Sequence, residues 1–186
     1  MSGSQGEEVE VVISLRTANL YSFVFFIVSL VIFGTAFSFI WSIEGFINAW
    51  RSFLTDYILL IVSILGGMLL HEVIHALAWG AFADKGFRSI TFGINWRHLA
   101  PYVHCNEYLR IPAYATGVAL PGILLGMLPA IVSLFTGSGW LLCFGVFFLA
   151  GAAGDFLALL RLRSFPRTAF VMDHPEHLGF IVKIGK

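Results

Sequence analysis

His71-Glu72-Val73-Ile74-His75 is the stretch whose residue types and spacing best suit chemistry. It reads HExxH. On a helix, residues four apart share a face, so both imidazoles can reach one ion. Neutral imidazole nitrogen is a good Zn²⁺ ligand. Glu72 adjoins the first imidazole and can take a proton from a water that a zinc ion activates for attack on a carbonyl. The bland alternative is a polar patch hydrogen-bonded to neighbouring helices. A Glu flanked by two His makes poor interhelical glue, which favours the metal reading.

Two imidazoles leave a catalytic zinc one protein ligand short. Asp155 is the other acid inside an apolar run, in Gly151-Ala152-Ala153-Gly154-Asp155. Small residues before it would let a neighbouring helix approach closely. His75 lies about 12 Å along a helix from Ala83, and Asp155 about 9 Å from Arg161, so the two sit at similar depth. The alternative for Asp155 is an ion pair with a snorkelling Arg161 or Arg163. Other candidates lie outside the apolar runs. Asn106-Glu107 resembles the distal acidic ligand of soluble gluzincins, but beside Arg110 it also reads as a solvated pair. His98 and His104 read as loop residues with surface or hydrogen-bonding roles. Asp173, His174 and His177 could bind metal or cap the site, or form an ordinary turn at Asp-His-Pro.

These residues sit in a chain that water does not suit. Of its 186 residues, 58% are hydrophobic and 12% charged. A soluble domain carries about 25% charged residues, so lipid is the implied solvent. Eleven basic residues balance eleven acidic ones, leaving no basic field to recruit nucleic acid. Cys105 and Cys143 are too few for a disulfide framework.

Charge-free runs place the membrane segments. Leu20–Trp41 is the centre of the first, and Tyr57–Ala83 is the second, interrupted by Glu72. Glu7, Glu8 and Glu10 stand where a leader would be positive, so the first run reads as a span. Ile111 to Gly154 has no charge; as one helix it would reach about 66 Å, twice a bilayer core. The turn cluster Thr136-Gly137-Ser138-Gly139 divides it into spans at about 113–135 and 140–161. Residues 44–55 place Phe46, Ile47, Trp50, Phe53 and Leu54 at helical spacing, as a helix in the outer interface would. Ile90, Phe92, Ile94 and Trp96 alternate with polar or small residues, which predicts a β-strand. Arg97-His98 would turn it into a second strand around Tyr102–Cys105. Gly122 and Gly126 form a GxxxG packing face. Pro121 would kink the third span. The first dozen residues read as a mobile tail.

The expected fold is thus an all-α membrane protein: four transmembrane helices with a small cytosolic β-hairpin-like loop between helices 2 and 3. It is read as one integral domain over 1–186, with a flexible tail at 1–16 and a cytosolic tail at 162–186.

HExxH in a membrane span, a Gly-containing β-like loop from Phe87 to Asn95, and a late span with an acid resemble the site-2 protease class of intramembrane zinc metalloproteases. From about Asp56 to Phe180 the chain more closely resembles the DUF3267 family of putative zincin peptidases. The stretch includes His104-Cys105-Asn106-Glu107, Ala119-Leu120-Pro121-Gly122 and Asp173. The resemblance implies His71, His75 and Asp155 as Zn²⁺ ligands and Glu72 as catalytic base. Site-2 proteases carry Asp-Gly where this chain has Gly154-Asp155-Phe156. The implied partners are membrane lipid and a membrane-associated protein or peptide substrate, with no nucleic acid. Such a substrate would lie extended beside the 89–96 strand; alternatively that hairpin merely plugs the cytosolic face. The rival function is a non-catalytic zinc-binding membrane protein, a sensor or scaffold. Transport is disfavoured because the polar groups gather in one half of the bilayer.

Ten of the eleven Lys and Arg fall on the side that holds both termini and the 84–112 loop; Arg51 is the exception. The positive-inside rule makes that side cytosolic, in an integral multi-pass protein of the plasma (cell) membrane. Reporter fusions at residues 48, 98, 138 and 186 should read outside, inside, outside, inside. A C-terminal fusion that reads outside overturns this topology.

Overall fold

The computed structural model describes residues 7–96, 100–175 and 177–184. The expected turn at Arg97-His98, and His98 itself, lie outside the described residues. The chain is mostly helical but not all-α: it also carries two β-sheets.

The helices come where the apolar runs predict them. They are α1 (Leu15–Trp41), α2 (Ile43–Thr55), α3 (Tyr57–Phe82), α4 (Ile111–Pro121), α5 (Leu128–Thr136), α6 (Gly139–Gly151) and α7 (Ala153–Leu162). Three helical runs, Leu15–Trp41, Tyr57–Phe82 and Ile111–Thr136, are long and apolar enough to cross a membrane. The pair α6 and α7 makes a fourth if counted as one bent span. The outer surfaces suit lipid: Phe39, Ile58 and Phe135 are among many large apolar side chains left exposed.

Two irregularities have local causes. A π-helical turn, Gly122–Met127, joins α4 to α5 directly after Pro121. Proline has no N–H for the helical ladder and crowds the preceding turn, and a widened turn accommodates it. The expected fourth span is broken at Ala152 and bent by 47°. Among the described residues nothing lies within 4 Å of where a Cβ on Gly151 would be, whereas Ala152 and Ala153 of the same small-residue run are fully buried.

The chain divides into two compact units. One comprises residues 18–71 and 121–153, and the other the remainder. Within the first, α2 packs against α6. Ala49 and Phe53 bury against Cys143, with Trp50 and Trp140 beside them. A Cβ on Gly139 would sit 2.3 Å from that of Ala49. The predicted interfacial helix therefore has one face covered by protein, while Ile47 and Leu54 stay exposed. Phe37 of α1 packs on Leu142 and Val146. Gly126 of the GxxxG pair closes on Leu149, and Gly67 on the Phe148 ring.

The other unit holds both sheets. β2 (Ile90–Asn95) and β3 (Ala100–Cys105) form the antiparallel hairpin that the alternation predicts, with Ile90 opposite Cys105. Its apolar face is not core, however: Phe92, Ile94 and Trp96 are exposed. The second sheet was not anticipated. It has the order β1-β6-β5-β4, from β1 (Glu7–Val12), β4 (Leu109–Arg110), β5 (Phe170–Asp173) and β6 (Gly179–Ile184). Residues expected to form a mobile tail thus pair antiparallel with the far end of the chain, Glu7 opposite Ile184. Val171, Phe180 and Val182 are fully buried in this sheet. Lys183 reaches Glu8 at 3.4 Å across the β1–β6 pair.

Gly179 begins β6 with φ 149°, and a Cβ there would lie 2.0 Å from the Val11 carbonyl oxygen. Gly179→Ala should therefore displace β1 and cost about 1–3 kcal/mol. Faster hydrogen exchange at the Val9 and Val11 amides would report it; unchanged exchange would show that the strand tolerates a side chain.

Candidate metal centre

α3 carries His71, Glu72 and His75 on its apolar length, and α7 carries Asp155 in its first turn. The break at Ala152 gives Asp155 this position. A helix start presents unpaired N–H groups and a partial positive charge that favour a carboxylate. One donor atom each from His71, His75 and Asp155 lies within 4.8 Å of the others. His75 Nε2 is 3.6 Å from Asp155 Oδ1. Two donors on a tetrahedral zinc are about 3.4 Å apart, so this pair is spaced to share an ion. Two imidazoles and a carboxylate are also the donor chemistry that zinc accepts. The donor set therefore fits the metal.

The surroundings orient His75. Its Nδ1 lies 2.9 Å from the Gly117 carbonyl oxygen. A carbonyl only accepts, so Nδ1 carries a hydrogen and Nε2 is the ring nitrogen that faces Asp155. The His75 ring stacks on Trp79, centroids 4.8 Å apart and planes 12° apart. Trp79 stacks in turn on Tyr114 at 5.3 Å and 11°. The Trp79 Nε1–H donates to the Tyr114 carbonyl at 3.1 Å. α4 must come very close for this. A Cβ on Gly117 would meet Trp79 Nε1 at 2.1 Å, so only glycine lets the two helices approach this far. Glu72 is partly buried beside the two imidazoles.

The remaining candidates are placed elsewhere. Glu107 accepts hydrogen bonds from the Asp84 N–H at 3.2 Å, the Lys85 N–H at 3.3 Å and the Ser89 hydroxyl. It ties the base of the hairpin to the end of α3 and is not among the grouped donors. Asp155 lies near His75. His174 Nε2 lies 3.9 Å from Glu10, and its Nδ1 accepts the His177 N–H at 3.0 Å. These two histidines hold the turn between β5 and β6. His104 is on β3, with its Nε2 buried and without a hydrogen-bond partner among the described residues. Cys105 is fully buried, and burial pushes its thiol up to about 11, so it stays protonated at neutral pH.

Asp173 and Tyr114 were not legible as neighbours. The buried Asp173 accepts the Tyr114 hydroxyl on Oδ1 and the Cys105 N–H at 2.8 Å on Oδ2. Burial pushes its carboxyl up, and these two hydrogen bonds oppose that rise by favouring the charged form. The Asp-His-Pro sequence carries no signal of this; only the pairing of β5 beside β4 reveals it.

Helices long and apolar enough to cross a membrane, together with a histidine-carboxylate group that could hold a metal ion, mark the class to which the chain is similar. The profile of the DUF3267 family, described as putative zincin peptidase, matches residues 64–170, and the chain belongs to that family. No curated protein and no solved structure matches it.

The Glu107 carboxyl is held below its ordinary value, first by the Ser89 hydroxyl and then by the two backbone N–H groups. A lowered folded-state value means its stabilising contribution is present at neutral pH and disappears as acid protonates it. Exchange of the Asp84 and Lys85 amides should accelerate on acidification below the ordinary carboxylate range. Glu107→Gln should make exchange fast at neutral pH and flatten that dependence. A wild type with pH-independent protection would refute the link.

Proposed function

We propose that this protein is an intramembrane zinc metallopeptidase that hydrolyses a peptide bond of a membrane-associated protein or peptide. The observation that carries the reading is the grouping of His71, His75 and Asp155 within 4.8 Å on helices of apolar sequence. Family membership supports it, because the family's description is that of a zincin peptidase.

His71, His75 and Asp155 would hold the ion. When bound, zinc would supply Lewis-acid polarisation of a carbonyl and acidify a water. Glu72 takes the proton from the attacking water and returns it to the leaving amine. Its position beside His71 suits a base better than a ligand, since His71 and His75 already claim that helix face. Gly117 and Trp79 keep the His75 ring in one tautomer and one orientation. The substrate would add as an extended strand along β2, which pairs with β3 alone in the sheet formed by the described residues. The protein would sit in the plasma membrane with both termini cytosolic, as the Lys/Arg asymmetry suggests. It would be one integral domain, in contact with lipid and without nucleic-acid partners.

Glu72→Gln should retain zinc and abolish hydrolysis, whereas Asp155→Ala should lower zinc occupancy sharply, as His75→Ala would. Metal analysis beside a peptide-cleavage assay checks both. Zinc-loaded wild type with no turnover on any membrane peptide would favour a non-catalytic zinc sensor or scaffold. Full zinc occupancy in Asp155→Ala would move the third ligand elsewhere.

A further inference from the structure

Asp173 stands outside the grouped donors, yet three successive contacts lead from it to His75. Its Oδ1 accepts the Tyr114 hydroxyl. The Tyr114 ring stacks on Trp79, and Trp79 stacks on His75. Trp79 is pinned a second time by its hydrogen bond to the Tyr114 carbonyl. One turn further along α4, Gly117 receives the His75 Nδ1–H. Tyr114 therefore touches the His75 surroundings twice: through its ring, and through the helix turn that presents Gly117.

The other side of Asp173 is equally committed. Its Oδ2 accepts the Cys105 N–H at the end of β3, and its backbone lies opposite Phe180 in the β5–β6 pair. One carboxylate thus joins strands of both sheets to α4. A buried carboxylate is a costly way to fill space, and an apolar side chain would do that better. What it provides is two acceptors of fixed direction.

We propose that Asp173 is the positioning residue of the metal centre: by fixing the Tyr114 hydroxyl it holds the Tyr114–Trp79 stack against the His75 ring. The C-terminal strands then belong to the site, although the family match ends at residue 170. This inference rests on the zinc reading above. It assigns Asp173 no contact with the ion or with substrate.

The test uses the full-length purified chain and zinc itself. Affinity is measured by competition with a chelator, and ligand geometry by the visible spectrum after cobalt(II) substitution. Tyr114→Phe keeps the ring and removes only the hydroxyl. Asp173→Asn keeps one acceptor and turns an amide donor toward the other partner. Each should weaken zinc by about tenfold to a hundredfold, the range typical of outer-shell partners, and shift the cobalt spectrum. The double variant should lose no more than Asp173→Asn alone, because both act through one hydrogen bond. Val182→Ala loosens the same sheet without touching Asp173, and should leave affinity and spectrum unchanged. If Val182→Ala weakens zinc as much as Tyr114→Phe does, general sheet stability is responsible and the proposal falls. If wild type binds zinc and both Tyr114→Phe and Asp173→Asn bind it equally well, this inference alone is overturned. If wild type takes up no zinc, the proposed function falls and this inference with it.

Discussion

Two imidazoles and two carboxylates in apolar helices impose the central constraint on this molecule. Glu72 and Asp155 cannot face hydrocarbon without partners, because an ionised group in lipid costs several kcal/mol or more. The structure meets the cost by turning the polar groups toward one another. His71 and His75 project from α3, and Asp155 starts α7, where the helix end favours negative charge. The bend at Ala152 follows from this need. A straight fourth helix would place Asp155 in mid-helix, with every nearby N–H already bonded to a carbonyl. Breaking the helix one turn earlier leaves N–H groups free to face the carboxylate.

The second constraint is orientation. A His ring is held in one orientation when one nitrogen is engaged and its faces are packed. The Gly117 carbonyl meets the first need and Trp79 the second. Both depend on close approach of α3 and α4, which a side chain at Gly117 would block. Packing of the helices and orientation of the His75 ring are therefore one problem here. The aromatic rings carry it because they are rigid and bury much area for little lost rotamer freedom.

Local and periodic features were legible in the sequence. HExxH is a helix-period pattern, so the two imidazoles fall on one face whatever surrounds them. Asp155 stands out because its background is apolar. The hairpin showed itself by alternation between Ile90 and Trp96. The four-stranded sheet did not, because its strands are short and its pairings span the chain, Glu7 with Ile184. Three glutamates in β1 disguise a strand as a solvated tail, although Val9 and Val11 alternate with them. β6 did carry a signal: five of the six residues Gly179–Ile184 are not glycine, and four of those are β-branched or aromatic. Asp173 stood out only as part of the group with His174 and His177; its bonds to Tyr114 and Cys105 come from tertiary neighbours.

The exposed apolar face of β2 separates two kinds of information in an alternating sequence. Alternation reports that one face of a strand differs from the other; it does not report what covers that face. In a soluble domain the apolar face would turn to the core. Here Phe92, Ile94 and Trp96 are exposed on a hairpin that follows the end of α3, and Phe82 and Phe87, which precede it in the chain, are exposed too. The helices, too, expose Leu, Ile and Phe along their length. The alternation thus predicts the strand and leaves open what its apolar face meets.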